Sequence, residues 1–498
     1  MALAWEEVLE VLETLVFSVP WYVTFVFVAI LVVTFGLIVT EKINKTLVAI
    51  VGAAATLGAG KIFSFVYSWV PIVRQILTGV PHELLFSDHE VFAEMIEWET
   101  LFIIVSVTII AVVAERSGLF EYISIRVVQF SGGNFQRLFL YLCLITFILT
   151  MILGNDPAFI LMGALTIVVS RTMGKNPIPY VLGAVLISNT AGASTAVASF
   201  VNILVTAFYG YDPFFYLSYP SFVVLGLPFA FITTSVGIVF FLLFFRKDFQ
   251  RPKDEKTLQE TKEMLEQFDP STVIKDRPLF RRTTYLLIIT IAGFIIGGLI
   301  GIPFYLISLI AAGAFLLADI KEFKSNIVKV DWKLILFFIG IFIIIGGVDR
   351  TGILSRLGES IGYMTLGNSY GASGVLVMFS GMLSGLLDNV SVTATLLYIV
   401  PSISSTAFVS ERLIIWSILY GANMGANLTP IGGIPNIIAF SLLEEENIAI
   451  SWKGFLKIGV PITLITLISG ILILGLFNNL FGWNFFEELL FKIMIPSG

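Results

Sequence analysis

Four polar interruptions break an otherwise apolar sequence. Two are short, Asn155-Asp156 and Asp388-Asn389, and two are longer strings at 188–195 and 423–433. A bare carboxylate or an unsatisfied backbone group is costly in hydrocarbon, so such breaks persist only inside packed protein or beside a watery cavity. Freed carbonyls, Asn oxygens, Thr hydroxyls and a carboxylate form an oxygen ligand set that suits an alkali cation. Exposed helix starts offer N–H groups to an anion, so one site could hold a cation and an anion side by side.

These residues also have plainer interpretations. Asn and Thr often act as hydrogen-bond partners between membrane helices, worth about 1 kcal/mol, and Gly and Pro kink such helices. Asp156 and Asp388 differ, because they are the only acids inside the proposed hydrophobic segments away from their ends. Intramembrane aspartyl proteases also use two membrane aspartates, but these two lie at tips in opposite halves of the chain. A binding role is therefore favoured for both aspartates, and an enzyme is disfavoured.

Composition places these interruptions in a polytopic membrane protein. Hydrophobic residues make up 57% of the chain and charged residues 13%, with a mean hydropathy of +0.95. A soluble protein would have a charged fraction of roughly 25%. Cys143 is the only cysteine, which excludes an intrachain disulfide and a cysteine-based metal cluster. The sequence has no Gly-x-x-x-x-Gly-Lys-[Ser/Thr] string, which disfavours an ATP-driven pump.

The chain repeats itself at an offset of 234 residues. The offset aligns Glu115-Arg116-Ser117-Gly118 with Asp349-Arg350-Thr351-Gly352, Gly133-Asn134 with Gly367-Asn368, Asn189 with Asn423, Thr195 with Thr429, and Asn202 with Asn436. With one residue of slippage, Asn155-Asp156 is expected to match Asp388-Asn389. Glu115 and Asp349 are interpreted as interfacial ion-pair partners of the arginines that follow them.

Each copy is long enough for five transmembrane spans and one re-entrant hairpin. Ten apolar stretches approach the length needed to cross about 30 Å of hydrocarbon. The hairpins are predicted at 136–172 and 371–404, and the long polar breaks fall in spans 178–210 and 412–441. Because five is an odd number, the second copy must be inverted relative to the first. The predicted fold class is an all-α polytopic membrane protein of two inverted repeats.

Polar and charged segments set the predicted domain boundaries. The repeats are expected at 20–245 and 284–477, joined by a cytoplasmic linker at 246–283. Residues 1–19 combine glutamates with spaced leucines, which indicates an amphipathic interfacial helix, and 478–498 is expected to be an interfacial C-terminal segment. This arrangement places most of the 29 Lys and Arg residues in the cytoplasm and both termini outside. The expected location is the cell membrane.

Three strings make the chain similar to a known superfamily. They are Gly154-Asn155-Asp156, Leu387-Asp388-Asn389-Val390, and the run from Gly421 to Gly432 that reads GANMGANLTPIG. They resemble the ion transporter superfamily, which includes arsenite permeases, citrate-transporter-like proteins, divalent anion/sodium symporters, the melanosomal P protein and one group of sodium/proton antiporters. The resemblance spans nearly the whole chain. It implies an elevator-like motion of a hairpin-containing transport region, often in a homodimer.

The resemblance also implies the site residues. A coupling cation, sodium or proton, is expected in the second repeat at Asn389, Asn423, Asn427 and Thr429. An equivalent first-repeat site is expected at Asn155, Asn189 and Thr195. Substrate is expected between the hairpin tips, at Asn155, Asp156, Ser188, Asn189, Thr190, Asp388, Asn389, Thr429 and Pro430. Apart from the coupling ion, no cofactor and no nucleic acid are expected.

The first repeat departs from the superfamily pattern. Many relatives carry a Thr-Pro-Ile-Gly-like string there, as this chain does from Thr429 to Asn436, but the corresponding stretch 195–202 lacks the Pro and both Gly. The cation is therefore expected mainly in the second repeat. No Lys or Arg falls in the proposed core, which disfavours citrate and leaves smaller anions, neutral metalloid hydroxides or cations. The predicted function is a cation-coupled secondary active transporter of a small anion or metalloid hydroxide, and the alternative is a sodium/proton antiporter.

Overall fold

The computed structural model describes most of the chain as helices. It covers residues 21–40, 42–69, 91–131, 134–209, 217–249, 269–274, 276–365, 368–448 and 450–482. Within these ranges there is no β-strand, and the predicted all-α fold class is confirmed. The predicted interfacial helix at 1–19, residues 483–498 of the predicted C-terminal segment and much of the linker lie outside the described residues.

The described part of the first repeat contains nine helices. They are α1 (Trp21–Val39), α2 (Lys45–Trp69), α3 (Trp98–Arg116), α4 (Leu119–Gln129), α5 (Phe135–Leu153), α6 (Asn155–Thr172), α7 (Pro177–Ala191), α8 (Phe200–Tyr209) and α9 (Tyr219–Phe244). A π-helical turn at Val91–Met95 precedes α3, and another at Phe222–Gly226 lies inside α9.

The described part of the second repeat begins after the linker. Its helices are α10 (Arg277–Leu299), α11 (Phe304–Ala318), α12 (Phe323–Val328), α13 (Trp332–Asp349), α14 (Ile353–Met364), α15 (Ser369–Leu386), α16 (Asn389–Leu397), α17 (Val400–Ala407), α18 (Glu411–Gly425), α19 (Ile434–Glu445) and α20 (Trp452–Phe481). The chain bends by 93° between α11 and the segment 320–328, and by 56° between α16 and α17.

The membrane spans agree with the sequence prediction. Among the described residues, nine helices are long and apolar enough to cross a membrane, or up to eleven if each bent pair is one span. The two spans predicted to be broken are pairs of short helices, α7 with α8 and α18 with α19. The hairpins predicted at 136–172 and 371–404 contain longer arms than a re-entrant loop requires. Their first arms, α5 and α15, have 19 and 18 residues and are long enough to span.

Helix capping explains one of the residue pairs that recur at the offset of 234. Asn134 and Asn368 each precede the first arm of a hairpin. Asn134 Oδ1 accepts from the N–H groups of Gln136 and Arg137 at 3.0 and 3.2 Å, and Asn368 Oδ1 accepts from that of Gly371 at 2.7 Å. An asparagine here satisfies N–H groups that have no partner inside the helix. The recurring Gly-Asn pair therefore marks the start of each hairpin.

Tight turns explain a second mark. Gly118 and Gly352 follow α3 and α13 and have φ angles of +75° and +71°, a conformation that favours glycine. The hydroxyls of the preceding residues, Ser117 and Thr351, each donate to the carbonyl three residues earlier at 2.7 Å. The same local bonds thus end the matching span of each repeat.

The arginines before these turns bind acids from other elements. Arg116 Nη2 lies 2.9 Å from Glu322 Oε1, and its Nε lies 3.4 Å from Asp319 Oδ2. Arg350 Nη2 donates to Glu94 Oε2 at 2.8 Å. The salt bridges of these arginines therefore reach acids on other elements, whereas the sequence suggested Glu115 and Asp349, which directly precede them. The charge of Arg350 also acts on its predicted partner, Asp349.

Two compact units divide the chain. The first consists of Met1–Trp98, Trp332–Met364 and Ala394–Phe408. In this unit α2 packs closely on α13 through small residues. A Cβ added at Gly340 would lie 2.7 Å from the backbone carbon of Ala49, and one at Gly347 would lie 2.4 Å from Cγ2 of Thr56. Backbones that approach this closely are typical of packing between membrane helices.

The second unit contains both hairpin tips and both broken spans. It consists of Glu99–Asp331, Thr365–Thr393 and Val409–Gly498. Here α15 and α18 each carry two glycines four residues apart, Gly381 and Gly385 on one helix and Gly421 and Gly425 on the other. A Cβ on Gly425 would lie 2.1 Å from the carbonyl oxygen of Gly381. The hairpin arm and the broken span are therefore in backbone contact.

Candidate functional site

The first hairpin tip is bonded directly to the first break. Helix α5 ends at Leu153, and Gly154 turns the chain with a φ of +90°. The N–H of Asn155 donates to Ala198 O at 2.9 Å, and Ser188 Oγ donates to Asn155 O at 2.8 Å. Both bonds are buried, so the tip is held against the unwound segment.

The second hairpin tip is organised by its aspartate. Helix α15 ends at Leu386, and Asp388 directly precedes α16. Asp388 Oδ2 accepts from the N–H and the hydroxyl of Ser391 at 3.0 and 2.9 Å. The carboxylate therefore caps the first turn of α16, where the positive end of the helix dipole also favours it.

The two tips align at an offset of 234 and not at 233. Helices α6 and α16 begin at Asn155 and Asn389. Asp388 therefore corresponds to Gly154, and Asp156 lies one residue inside its own helix. The predicted register, which matched Asn155 with Asp388 and Asp156 with Asn389, is therefore wrong by one residue, because the first tip turns at a glycine with positive φ where the second uses a capping carboxylate.

A threonine joins each break to the hairpin arm of its own repeat. Thr195 Oγ1 donates to Met151 O at 2.7 Å, and Thr429 Oγ1 donates to Gly385 O. The two donating threonines are 234 residues apart in the sequence, and so are the two residues whose carbonyls accept. Because each hydroxyl gives its hydrogen to a carbonyl, its oxygen lone pairs remain available to a cation.

Two further asparagines, Asn202 and Asn436, hold the breaks in shape. Asn202 Nδ2 donates to two carbonyls of the first break, those of Gly192 and Thr195, both at 2.6 Å. Asn436 Nδ2 donates to the two matching carbonyls of the second break at 2.7 and 2.8 Å. These bonds satisfy carbonyls that lose their partners where the helix unwinds. The first break keeps this arrangement without the Pro and the two Gly of the second.

Reciprocal amide bonds join the two breaks. Asn423 Nδ2 donates to Asn202 Oδ1 at 3.1 Å, and Asn189 Nδ2 donates to Asn436 Oδ1 at 2.8 Å. When the two repeats are exchanged at the offset of 234 residues, each of these bonds corresponds to the other. The amide orientations follow from the network, since Nδ2 of Asn202 and Asn436 must face carbonyls and their Oδ1 atoms are then acceptors.

In each repeat, one amide oxygen of this network accepts no hydrogen bond from the described residues. Asn189 and Asn423 are each 1% exposed, and their Oδ1 atoms have no hydrogen-bond partner among the described residues. A buried acceptor without a partner costs about 1–3 kcal/mol, so these two oxygens are candidate ligands. Glycines leave room beside them. A Cβ at Gly192 would lie 2.6 Å from Asn423 Oδ1, and one at Gly433 would lie 3.4 Å from Asn189 Oδ1.

Asn427 is an unmatched member of the network. Its counterpart in the first repeat is Ala193. Asn427 Oδ1 accepts from Asn189 Nδ2 at 2.8 Å, and Asn427 Nδ2 donates to Leu186 O at 2.9 Å. Asn423 makes its corresponding second bond to a carbonyl of its own helix at 2.9 Å. Asn427 therefore gives the second repeat a side-chain contact with the first repeat that has no counterpart in the opposite direction.

Most of the predicted site residues lie in or beside this network. Seven of them take part in it: Asn155, Ser188, Asn189, Thr195, Asn423, Asn427 and Thr429. Thr190 lies alongside and accepts a hydrogen bond from Thr234 Oγ1 at 3.0 Å. Pro430 is buried at the second break, and Asp156 and Asp388 are half-buried at the tips. Their roles in binding stay predictions.

Sequence reasoning did not select Asn202 and Asn436 as site residues, although both hold a break together. The available signal was the repeat itself, because the two residues match at the offset of 234. They lie past the polar strings, inside the apolar helices α8 and α19, where a lone asparagine is usually an interhelical partner.

A small cavity lies against the first tip. Its volume is about 30 Å³, enough for one water-sized group or ion. Its lining comes from α3, the tip and the first break, and includes Val107, Thr108, Gly154, Asn155, Ser199 and Phe200. The tips and breaks, residues 151–157, 188–202, 385–391 and 419–436, carry two aspartates and no Lys or Arg.

Comparison with known sequences identifies relatives along most of the chain. The citrate transporter family matches residues 35–421. The chain is 26% identical over 446 residues to the 46 kDa membrane protein of Mycobacterium leprae, across 88% of this chain and 95% of that protein. It is 24% identical over 421 residues to an arsenical pump membrane protein of Escherichia coli, across 83% of this chain and 90% of that protein.

Solved structures show the same fold. The YdaH transporter of Alcanivorax borkumensis aligns with a TM-score of 0.57 at 14% identity, covering 89% of this chain and 99% of that chain. MtrF of Neisseria gonorrhoeae, from a class of antimetabolite efflux pumps, aligns with a TM-score of 0.50 at 11% identity, covering 86% and 94%. Such low identities show the fold alone. Because the family match covers most of the sequence, this multi-pass membrane transporter belongs to the citrate transporter family of the ion transporter superfamily.

Proposed function

We propose that the protein is a cation-coupled secondary active transporter that moves a small anion or a metalloid hydroxide. The observation that carries the proposal is the pair of buried Oδ1 atoms, on Asn189 and Asn423, for which the described part of the chain provides no hydrogen-bond donor. Each belongs to a break that also offers a threonine oxygen, from Thr195 or Thr429, whose hydrogen is already donated. Hard, uncharged oxygens of this kind suit sodium. Sodium is therefore the favoured coupling ion.

The substrate proposal rests on charge. The family name points to citrate, and the name of one relative points to arsenicals. Citrate carries up to three negative charges, which need neutralising partners in a low-dielectric site. The tips and breaks supply two aspartates and no Lys or Arg. A small anion or a neutral metalloid hydroxide fits this environment better, with helix starts and the bound cation as the positive groups.

Uptake into proteoliposomes tests this function. Purified protein is reconstituted, and uptake of labelled citrate, arsenite, a dicarboxylate and a small inorganic anion is measured with and without inward sodium and proton gradients. We expect uptake of a small solute driven by sodium. Strong citrate uptake would overturn the substrate proposal, and uptake of every solute at the same rate with and without gradients would overturn cation coupling.

The mechanism and assembly follow the same proposal. We propose that a hairpin-containing region carries the site across the membrane in an elevator-like motion and that the protein works as a homodimer. A cross-linking scan from cysteines at the hairpin tips, after Cys143 is replaced, would test the motion. Reversible trapping of transport by a cross-link at one tip is expected. Light scattering of the detergent-solubilised protein would test the dimer.

A sodium/proton antiporter is the second candidate. It is favoured by the half-buried carboxylates of Asp156 and Asp388, since a membrane acid can exchange a proton for a cation. The two functions separate in proteoliposomes without added solute. Sodium-driven proton movement that is lost in Asp156→Asn or Asp388→Asn would identify the antiporter. Its absence in the parent protein, together with solute uptake, would exclude it.

A further inference from the structure

We infer that Asn427 is a positioning residue for the first-repeat cation site, supplied by the second repeat. The inference rests on the proposed function and assigns Asn427 a different role from the second-repeat cation ligand that the sequence suggests. Both polar atoms of its side chain bond to the first repeat, to Asn189 Nδ2 and to Leu186 O. Asn427 is fully buried, so these bonds exclude water.

The orientation of Asn189 explains the role. Its two Nδ2 hydrogens are taken by oxygens of the second repeat, those of Asn427 and Asn436, each at 2.8 Å. An amide whose nitrogen is held twice has its oxygen fixed on the opposite side. Asn189 Oδ1 is the oxygen that lacks a partner among the described residues. Asn427 therefore helps to aim the candidate ligand of the first site.

The bonding of Asn427 argues against a place in the second site. Its Nδ2 faces the carbonyl of Leu186 at 2.9 Å, which directs its Oδ1 towards Asn189. The second site has its own candidate oxygen, on Asn423, which has no partner among the described residues and whose amide nitrogen is held by Asn202 Oδ1 and Leu419 O, without Asn427. Asn427 thus makes the two sites unequal, since it supports the first site from the second repeat, whereas the matching residue of the first repeat, Ala193, has no amide to offer the second site.

The substitution Asn427→Ala tests the inference, because the buried polar groups that Asn427 contacts keep other hydrogen-bond partners within reach. Leu186 O keeps the hydroxyl of Thr190 as a donor at 3.2 Å. Asn189 has the carbonyl of Val185 four residues earlier in its own helix, the position from which Leu419 O serves Asn423. Alanine is also the natural residue at the matching place of the first repeat. The variant is therefore expected to fold.

The experiment measures sodium binding by the full-length protein in detergent. The melting temperature is followed against sodium concentration at constant ionic strength, because a ligand that binds the folded state raises it. We expect Asn427→Ala to weaken sodium binding about fivefold, the loss of one well-placed hydrogen bond. The control is Thr233→Ala, which removes a buried hydroxyl that bonds only to its own helix. It should leave the sodium dependence unchanged.

Double variants assign the effect to a site. Combined with Asn189→Ala, Asn427→Ala should add little, because the residue it positions is gone. Combined with Thr429→Ala, the two effects should multiply, since they act on different sites. The reverse pattern, or an unchanged sodium dependence in Asn427→Ala, overturns the inference while cation coupling survives. A parent protein that sodium does not stabilise overturns the proposed function, and the inference falls with it.

Discussion

The glycine contact between α15 and α18 allows a sharp test of how the second site is held. In Gly425→Ala, the new Cβ would lie 2.1 Å from the carbonyl oxygen of Gly381 and 2.5 Å from its Cα. Both atoms belong to the backbone, so no side chain can rotate away. Carbon atoms prefer a separation of about 3.5–4.0 Å, and the two helices must therefore move apart by about 1 Å.

The free-energy change follows from these distances. Overpacking a tight contact costs about 1–3 kcal/mol, and the upper end applies because the clash is with backbone. Alanine gains about 1 kcal/mol over glycine in a helix. We therefore expect a net destabilisation of about 2 kcal/mol. Separation of the helices should also stretch the bond from Thr429 to Gly385 O, so sodium binding should weaken as well.

The matched control is Gly374→Ala in α15, the hairpin arm that Gly425 contacts. A Cβ at Gly374 meets no atom within 4 Å, so this change should be neutral or stabilising by up to about 1 kcal/mol. Thermal unfolding and sodium titration of both variants in detergent make the comparison. Equal stability of the two variants would refute the claim that backbone contact of these helices positions the second break.

Three further predictions follow from the hydrogen bonds. Asn436→Ala loses three buried bonds and should destabilise the protein by about 2–4 kcal/mol, whereas Asn478→Ala loses one bond and should cost about 1 kcal/mol; equal melting temperatures would contradict this. Asp388→Asn should keep the helix cap and the melting temperature, while Asp388→Ala should cost about 1 kcal/mol. Arg116→Ala breaks partly exposed ion pairs, so thermal unfolding should report a loss below about 1 kcal/mol.

Much of the architecture could be predicted because hydrocarbon restricts what a membrane chain can do. Apolar stretches of about 20 residues must become helices, and polar strings inside them must become breaks. The hairpins and the broken spans are therefore where the sequence indicated them. The repeat also pointed to the right residues, since Asn189, Asn423, Thr195 and Thr429 all belong to the bonded network.

The sequence predictions that proved wrong concern local geometry and contacts that depend on which residues lie close together in the folded chain. The polar pairs of the two tips were matched with a slippage of one residue, but a glycine with positive φ and a capping carboxylate can make the same turn, so Asp388 corresponds to Gly154. The ion-pair partners of Arg116 and Arg350 come from distant segments. No local pattern reports which element packs beside a helix end.

The first break shows why the missing Pro and Gly do not by themselves remove a cation site. In the second repeat these residues favour unwinding, yet in both repeats the freed carbonyls are held by one asparagine, Asn202 or Asn436. The same asparagine accepts the amide that aims the free oxygen, on Asn423 or Asn189. A site of this design survives changes in the unwound string as long as the asparagine remains. Under the proposed function, the first repeat therefore keeps the framework of a cation site, with an affinity that we infer Asn427 to tune from the other repeat.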